Sequence, residues 1–242
     1  MTDSDPREGD AHGRQAEVAA WFDATYRTRG YAYLRPLAAY PILLQVAGAR
    51  RGERLLDVAC GPGLMLRAAA LRGLDAVGID IAREGVRLAR RDAGASAAVA
   101  NAEALPFQAE SFDVITCVGS IERMLDRERV LAEMQRVARP GARFCFLVRN
   151  ATSASWRLWN RALRRQNHTA HQDAATLEGW RALFERNGFV VEAVHADQWL
   201  RQRLRRWFRG RPDLTRDEPV VRPWLPLRLA LEFIFVLRQA PR

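Results

Sequence analysis

The stretch 54–63 constrains the fold of this 242-residue chain more than any other. It consists of a short apolar strand containing the acid Asp57, then the loop Gly61-Pro62-Gly63, and then residues with helical spacing from Leu64. Glycines let a backbone approach a ligand closely, and a helix start offers unpaired N–H groups. The sequence therefore predicts a nucleotide-binding corner. An acid beside the loop would repel a pyrophosphate and attract a cation.

Strand and helix patterns alternate along most of the chain. Predicted strands cover 54–59, 76–80, 97–100, 113–118, 143–149, 189–195 and 231–237, and predicted helices cover 15–28, 42–49, 64–72, 83–92, 126–138 and 176–187. Apolar strands that alternate with helices are typical of a parallel sheet covered on both faces.

Polar residues stand at the ends of the first three predicted strands. In an open parallel sheet, ligands bind at the carboxyl ends of the strands. Asp57, Asp80 and Asn101 all fall there. Asp80 could accept both hydroxyls of a ribose, and Ile81 could pack on an adenine face. These positions predict a site for a ligand that contains adenosine.

The glycine loop leaves two ligand classes open. The dinucleotide fingerprint is G-x-G-x-x-G, and Leu66 stands where its third glycine would be. A nicotinamide-dependent reductase therefore stays an alternative. Asp57 favours a ligand with a positively charged group instead.

Several segments, in this order, carry a family resemblance: Val58–Gly63, Gly78–Asp80, Ala102–Phe107 with Ser111–Asp113, and Val137–Gly141. From about Trp21 to Asp197 the chain resembles the class I S-adenosylmethionine-dependent methyltransferases of the small-molecule type. The resemblance implies an α/β fold, Rossmann-like and doubly wound, with a mostly parallel seven-stranded sheet and helices on both faces. It also implies methyl transfer from S-adenosylmethionine to an O-, N- or C-nucleophile by in-line displacement. A non-catalytic cofactor-binding protein is the alternative.

The resemblance further implies which residues contact the cofactor. They are Asp57, Ala59, Cys60, Gly61 and Gly63 around the methionine end, Asp80 and Ile81 at the ribose and adenine, Asn101, Ala102 and Glu103 at the adenine edge, Val118 and Ser120 along the methionine arm, and Tyr26 in an N-terminal lid. Trp21, Phe22 and Tyr31 are further lid candidates, although core packing would explain these aromatic residues equally well.

Three positions depart from the family pattern. Asn101 stands where the family usually has Asp, and Ala59 replaces a common glycine. Many relatives have Glu-His after the fourth strand, whereas this chain has Glu122-Arg123. The last difference puts any catalytic use of the usual His in doubt.

A general base is needed only if the acceptor is poorly acidic, such as an alcohol. The sequence offers His168 and His171 as bases, His195 as a weaker choice, and Glu122 as a substrate contact. A histidine in a loop is more often a surface residue. No cysteine spacing typical of a metal site is present, so no metal is predicted.

The net charge of +10 would attract phosphates, anionic lipid or nucleic acid. Nucleic acid is disfavoured, because Cys117–Ser120 differs from the Asn/Asp-Pro-Pro-aromatic motif of base-amine methyltransferases. Residues 197–225 combine tryptophans with many arginines. They predict either peripheral contact with an anionic membrane or a helix that covers the sheet edge. A looser resemblance to enzymes of cell-envelope glycan assembly adds a second acceptor class, a glycan or lipid-linked molecule at the inner membrane surface.

The predicted organisation is a disordered lead (1–13) and one domain (14–242). The domain comprises an N-terminal helical cap (14–50), a cofactor-binding core (52–196), a basic amphipathic insertion (197–229) and a last strand (230–238). No secretory signal or spanning segment is evident, and the three cysteines are expected to be buried free thiols. We therefore expect a cytoplasmic protein, with peripheral contact at the inner membrane as the variant. No pattern indicates the oligomeric state.

Overall fold

The computed structural model describes residues 6–153, 173–197, 215, 227 and 230–241. The strands are β1 (Arg54–Val58), β2 (Asp75–Asp80), β3 (Ser96–Val99), β4 (Phe112–Val118), β5 (Ala138–Arg149), β6 (Phe189–Ala196) and β7 (Glu232–Gln239). The helices are α1 (Pro6–Arg29), α2 (Tyr40–Val46), α3 (Leu64–Leu71), α4 (Arg83–Ala93), α5 (Arg127–Val137) and α6 (Leu177–Arg186), with short 3₁₀ turns at Gly30–Tyr33, Leu37–Ala39 and Ile121–Arg123.

The seven strands form one sheet in the order β3-β2-β1-β4-β5-β7-β6. Strands β1 to β5 run parallel, and β7 is antiparallel to both of its neighbours. The predicted α/β fold with a mostly parallel seven-stranded sheet is confirmed. The strand order changes direction between β1 and β4, and such a reversal leaves a crevice at the carboxyl ends of the strands.

Helices cover both faces of the sheet because successive strand side chains point to opposite sides. On one face, Leu55 of β1 and Val114 of β4 pack with apolar residues of α2, α3 and α4. On the other face, Leu56 and Ile115 pack with apolar residues of α5 and α6, including the buried Trp180. The buried core therefore fixes both surfaces from which the loops of the site emerge. Cys60, Cys117 and Cys145 are buried and free, as predicted.

Within the predicted disordered lead (1–13), the structure differs over 6–13, because α1 begins at Pro6. A proline is well accommodated at the first helical position, since its missing N–H has no intrahelical partner there. Alanine, arginine and glutamate between 7 and 14 are good helix formers, so Gly9 and Gly13 only weaken the helix. The helix is therefore nine residues longer at its start than the prediction over 15–28.

Strand β5 also begins earlier than predicted, at Ala138 instead of Arg143. Ala138 pairs with Phe112, and pairing then shifts so that Arg143 pairs with Val114. The Pro140-Gly141 turn, with Gly141 at φ +77°, is an irregularity within the strand rather than its boundary. Proline and glycine mark turns in a sequence, but they do not reveal that the strand is already paired before the turn.

A side chain of helix α1 caps the start of helix α4, and this contact ties α1 to the rest of the domain. The residue before α4, Ala82, has no side chain that could cap the helix. The Oδ1 atom of Asp23 accepts a hydrogen bond of 2.7 Å from the backbone N–H of Glu84. Such a contact satisfies one of the unpaired donors at a helix start. It holds α1 beside the carboxyl end of β2.

The basic insertion predicted over 197–229 lies almost entirely outside the described residues, as do His168 and His171. Within the described part of the chain, no helix is long and apolar enough to cross a membrane.

Candidate cofactor site

A cleft that is open to solvent lies at the carboxyl ends of β1 to β4. Its wall combines residues from strand ends with one face of α1 and the segment after β4. The lining residues are Gln15, Val18, Phe22, Tyr26, Ala59, Ile79, Asp80, Ile81, Ala100, Asn101, Ala102, Glu103, Ser120, Arg123, Met124, Leu125 and Val130. Its concave shape and largely apolar wall with a few polar groups are those of a small-molecule site.

The loop after β1 is held close to α1 and α4 by its glycines. Gly61 has φ +48°, and a Cβ atom there would lie 2.8 Å from the hydroxyl oxygen of Tyr26. Gly63 has φ +80°, and a Cβ atom there would lie 2.8 Å from the Cβ of Ala89. Both positions therefore require glycine for its backbone conformation and for its lack of a side chain. The loop bends over the end of β1 and begins α3.

Ala59 adopts φ +61°, a conformation that disfavours residues with a Cβ. The resemblance implies glycine at this position, and a glycine would adopt this backbone conformation without strain.

We expect Ala59→Gly to raise the free energy of unfolding by about 1 kcal/mol, because it relieves this strain. Urea unfolding of the variant measures the change. Ala132→Gly is the matched control: Ala132 is exposed in the middle of α5, so the same substitution should lower stability by about 1 kcal/mol. If both variants lose stability, Ala59 is not strained.

Two carboxylates lie almost fully buried beneath the loop. Asp57 is 3% exposed, and its Oδ1 atom accepts a 2.6 Å hydrogen bond from the Thr116 hydroxyl. Asp80 is 4% exposed and accepts hydrogen bonds from the backbone N–H groups of Gly61, at 2.7 Å, and Ala82, at 2.8 Å. Asp80 thereby fastens the glycine loop to the end of β2.

Burial raises the pKa of both acids, because it disfavours a charged carboxylate. The pKa of Asp57 rises to about 7 through burial, with the Thr116 hydrogen bond opposing the rise and the charge of Asp80 adding to it. The pKa of Asp80 rises to about 6, again through burial, and the hydrogen bonds from Ala82 and Gly61 oppose the rise. The site therefore holds two acids whose ionisation a bound cation would favour.

The other end of the cleft is built from the loop after β3. The Asn101 side-chain oxygen accepts a 3.0 Å hydrogen bond from the backbone N–H of Glu103, which closes a tight turn. The Glu103 carboxylate accepts hydrogen bonds from the side-chain amide of Gln15, at 2.7 Å, and from the N–H of Asp126, at 3.3 Å. Asn101 therefore shapes the loop, and Glu103 connects it to α1.

One face of α1 closes the cleft. Gln15, Val18, Phe22 and Tyr26 lie on this face at helical spacing and line the cleft. Sequence reasoning proposed Phe22 and Tyr26 as lid residues and missed Gln15 and Val18, although their spacing from Phe22 was the available signal. The other two lid candidates do not line the cleft. Trp21 packs edge-on against Phe22, whereas Tyr31 is exposed and its hydroxyl donates a hydrogen bond to Asp92.

Arg123 joins this aromatic face to the segment after β4. Its guanidinium lies 5.5 Å from the ring centre of Trp21 and 5.3 Å from that of Phe22. It also donates a 3.2 Å hydrogen bond to the Tyr33 hydroxyl. At the position where the family resemblance implies histidine, Arg123 connects the N-terminal helix to the segment after β4.

Arg123→Ala should therefore loosen α1, with a loss of about 1–2 kcal/mol of local stability from the two cation–π contacts. Hydrogen–deuterium exchange should show faster exchange over 13–29. Arg127→Ala serves as the control, because the described contacts of Arg127 are with Trp180, Asp173 and the turn after β4, and not with α1. Unchanged exchange in α1 of the Arg123 variant would contradict the role given to Arg123.

Some of the predicted cofactor residues line the cleft, and others lie behind its wall. Tyr26, Ala59, Asp80, Ile81, Asn101, Ala102, Glu103 and Ser120 line it, whereas Asp57, Cys60, Gly61, Gly63 and Val118 do not. Glu122 is fully buried and does not line the cleft either. His195 lies on β6, four positions from β1 in the sheet, and its pKa is lowered by burial.

The polar and apolar groups around the cleft fit a ligand that combines adenosine with a positively charged sulfonium. Asp80 stands where ribose hydroxyls need acceptors, Ile81 and Ala102 offer apolar walls, and two buried acids favour a cation. Ala59 and Tyr26 narrow the space above the glycine loop.

Comparisons with known proteins agree with this geometry. Residues 56–146 match a model of the methyltransferase domain. A ubiquinone biosynthesis O-methyltransferase from Hahella chejuensis is 33% identical over 142 residues, which cover 56% of this chain and 59% of that protein. Its counterpart from Bordetella avium is 29% identical over 147 residues, covering 58% and 61%. The chain thus spans about three fifths of the length of these relatives.

Solved structures show the same fold. A Thermotoga maritima structure described as an S-adenosylmethionine-dependent methyltransferase, possibly a histamine N-methyltransferase, superposes with a TM-score of 0.63 at 17% identity. The match covers 88% of this chain and 95% of that one. Together with the strand order, these similarities show that residues 56–146 match a methyltransferase domain and that the chain has the fold of solved structures described as S-adenosylmethionine-dependent methyltransferases.

Proposed function

We propose that this protein transfers a methyl group from S-adenosylmethionine to a small-molecule acceptor. The observation that carries the proposal is the pair of buried acids, Asp57 and Asp80, at the ends of adjacent strands beneath a two-glycine loop. A pyrophosphate would be repelled by these acids, whereas a ligand with ammonium and sulfonium groups would be attracted.

The chain's own residues would bind and orient the cofactor. Asp80 would accept hydrogen bonds from the ribose, while Ile81 and Ala102 flank the adenine. The Asn101 oxygen can accept a further hydrogen bond from the adenine amino group, since an amide oxygen has two lone pairs. Ser120 would contact the methionine arm, and Tyr26 with Phe22 would exclude water.

When bound, S-adenosylmethionine supplies a methyl group on a positively charged sulfur, which is already a good electrophile. The protein therefore contributes chiefly by aligning the acceptor and excluding solvent. The contacts of Arg123 with Trp21 and of Glu103 with Gln15 hold α1 against the cleft, which would serve this purpose.

A small-molecule acceptor is favoured by the relatives, two of which bear the name ubiquinone biosynthesis O-methyltransferase. The identity of the acceptor cannot be carried over from those names, because the alignment covers about three fifths of each relative. The predicted membrane contact through 197–225 falls almost entirely on residues outside the described part of the chain.

Incubation with methyl-labelled S-adenosylmethionine and fractionated cell extract tests the proposal. We expect the label in a small-molecule fraction, and less of it with Asp80→Ala when S-adenosylmethionine is kept below saturation, because that variant should bind the cofactor more weakly. Label in lipid or polysaccharide would instead support the glycan or lipid-linked acceptor. Tight cofactor binding without label in any fraction would contradict the proposal and support a non-catalytic binding protein.

A further inference from the structure

The backbone N–H groups of the glycine loop are already used within the fold. Cys60 donates to the carbonyl oxygen of Ile79, at 2.9 Å, and Gly63 donates to that of Cys60, at 3.0 Å. Gly61 donates to the Oδ2 atom of Asp80, at 2.7 Å. The proline at position 62 has no N–H group to offer. The described residues 60–63 therefore leave no free backbone donor for an anionic group of a ligand.

The proposed cofactor carries an anion as well as two cations. The methionine arm of S-adenosylmethionine ends in an ammonium group and a carboxylate, and its sulfur is positively charged. The buried acids Asp57 and Asp80 favour the two cations but repel the carboxylate. A carboxylate that leaves water is costly to bury unless hydrogen-bond donors meet it. A side-chain donor is therefore needed beside the glycine loop.

The Tyr26 hydroxyl lies where such a donor is needed. Tyr26 is 6% exposed, lines the cleft, and its hydroxyl forms no hydrogen bond with any residue that the structure describes. The hydroxyl oxygen lies over Gly61, 2.8 Å from the place that a Cβ atom would occupy. This oxygen is not among the fully enclosed polar atoms, so a ligand in the cleft can reach it. Because buried polar groups are normally paired, the free hydroxyl indicates a ligand contact.

The surroundings of Tyr26 keep its hydroxyl protonated and its ring in place. Burial raises the pKa of Tyr26 well above the ordinary value, and the negative charge of Asp80 adds to the rise. The ring centres of Phe22 and Tyr33 lie 5.8 Å and 6.1 Å from that of Tyr26. The Tyr33 hydroxyl, in contrast, already accepts a hydrogen bond from Arg123. Tyr26 is therefore a fixed, neutral donor.

We propose that the Tyr26 hydroxyl donates a hydrogen bond to the carboxylate of the cofactor's methionine arm. This inference rests on the proposed methyltransferase function and assigns to one side chain a contact that the amides of residues 60–63 cannot make. Asp57 and Asp80 favour the two cations of the cofactor, and the Tyr26 hydroxyl binds its anion. Recognition of the complete methionine arm thus depends on helix α1, which carries Tyr26.

Calorimetric titration with S-adenosylmethionine and with decarboxylated S-adenosylmethionine tests the proposal. The decarboxylated molecule keeps the adenosine, the sulfonium and the amine, and lacks only the carboxylate. Tyr26→Phe keeps the ring and removes the hydroxyl. This variant should raise the dissociation constant for S-adenosylmethionine at least about tenfold, as expected for the loss of a hydrogen bond to a charged group. It should change the dissociation constant for the decarboxylated form by less than about twofold, because the partner of the hydroxyl is absent there.

Tyr31→Phe is the matched control, because it removes the same hydroxyl from an exposed tyrosine that bonds to Asp92. It should leave both dissociation constants unchanged. Urea unfolding without ligand shows separately whether Tyr26→Phe folds. In a folded variant, equal losses for both ligands, or no loss for either, would overturn the assignment of the carboxylate contact. If the wild type binds neither ligand, the proposed function itself fails.

Discussion

Replacing Asp57 with asparagine is expected to stabilise the free protein above about pH 7 while weakening its binding of S-adenosylmethionine at least about tenfold. Asp57 is buried, and its pKa rises from 3.8 to about 7. Below about pH 4 the acid is protonated in both the folded and unfolded states, so it has no effect. Stability falls as the pH rises between these values, since only the unfolded state has released its proton.

Above about pH 7 the full cost is present, and the shift corresponds to about 4 kcal/mol. Asparagine is neutral throughout and can keep the hydrogen bond from Thr116. Urea unfolding at about pH 5 and pH 8 should therefore show a gain for Asp57→Asn that grows with pH. Asp75→Asn is the matched control, because Asp75 is exposed at the start of β2, and its change should be within about 0.5 kcal/mol. A variant less stable than the wild type at pH 8 would contradict this reading.

Replacing Asp80 with alanine should raise the dissociation constant for S-adenosylmethionine at least about tenfold, which is about 1.4 kcal/mol. The variant would lose charge-assisted hydrogen bonds to the ribose. The structure adds a second reason: Asp80 accepts the N–H groups of Gly61 and Ala82, so its loss also releases the glycine loop.

Isothermal titration calorimetry measures the effect of Asp80→Ala, and Asp92→Ala on the exposed end of α4 is the control. Asp80→Asn should fall between wild type and alanine, because it keeps one acceptor oxygen but no charge. Equal affinity of wild type and Asp80→Ala would remove Asp80 from the ribose site.

The strand ends were predictable because each depends on a local signal. Asp57, Asp80 and Asn101 follow short apolar runs, and the loop that contains Gly61 and Gly63 has few alternatives to a tight turn. The sheet order then brings these residues to one edge. The cleft at that edge was therefore expected, and eight of the predicted cofactor residues line it.

The rest of the site depends on contacts between distant parts of the chain. Gln15 meets Glu103, 88 positions away, and Asp23 caps a helix 61 positions away. No local pattern predicts such partners. The early start of α1 was missed because polar residues at a terminus are typical of both disorder and an exposed helix.

The most direct test of the account is calorimetric titration of the wild-type protein with S-adenosylmethionine at about pH 6 and pH 8, with NADPH in parallel. One binding site for S-adenosylmethionine is predicted, with tighter binding at the higher pH, because Asp57 and Asp80 are then ionised before the cation arrives. No NADPH binding is predicted. Tight binding of NADPH and none of S-adenosylmethionine would contradict the central claim.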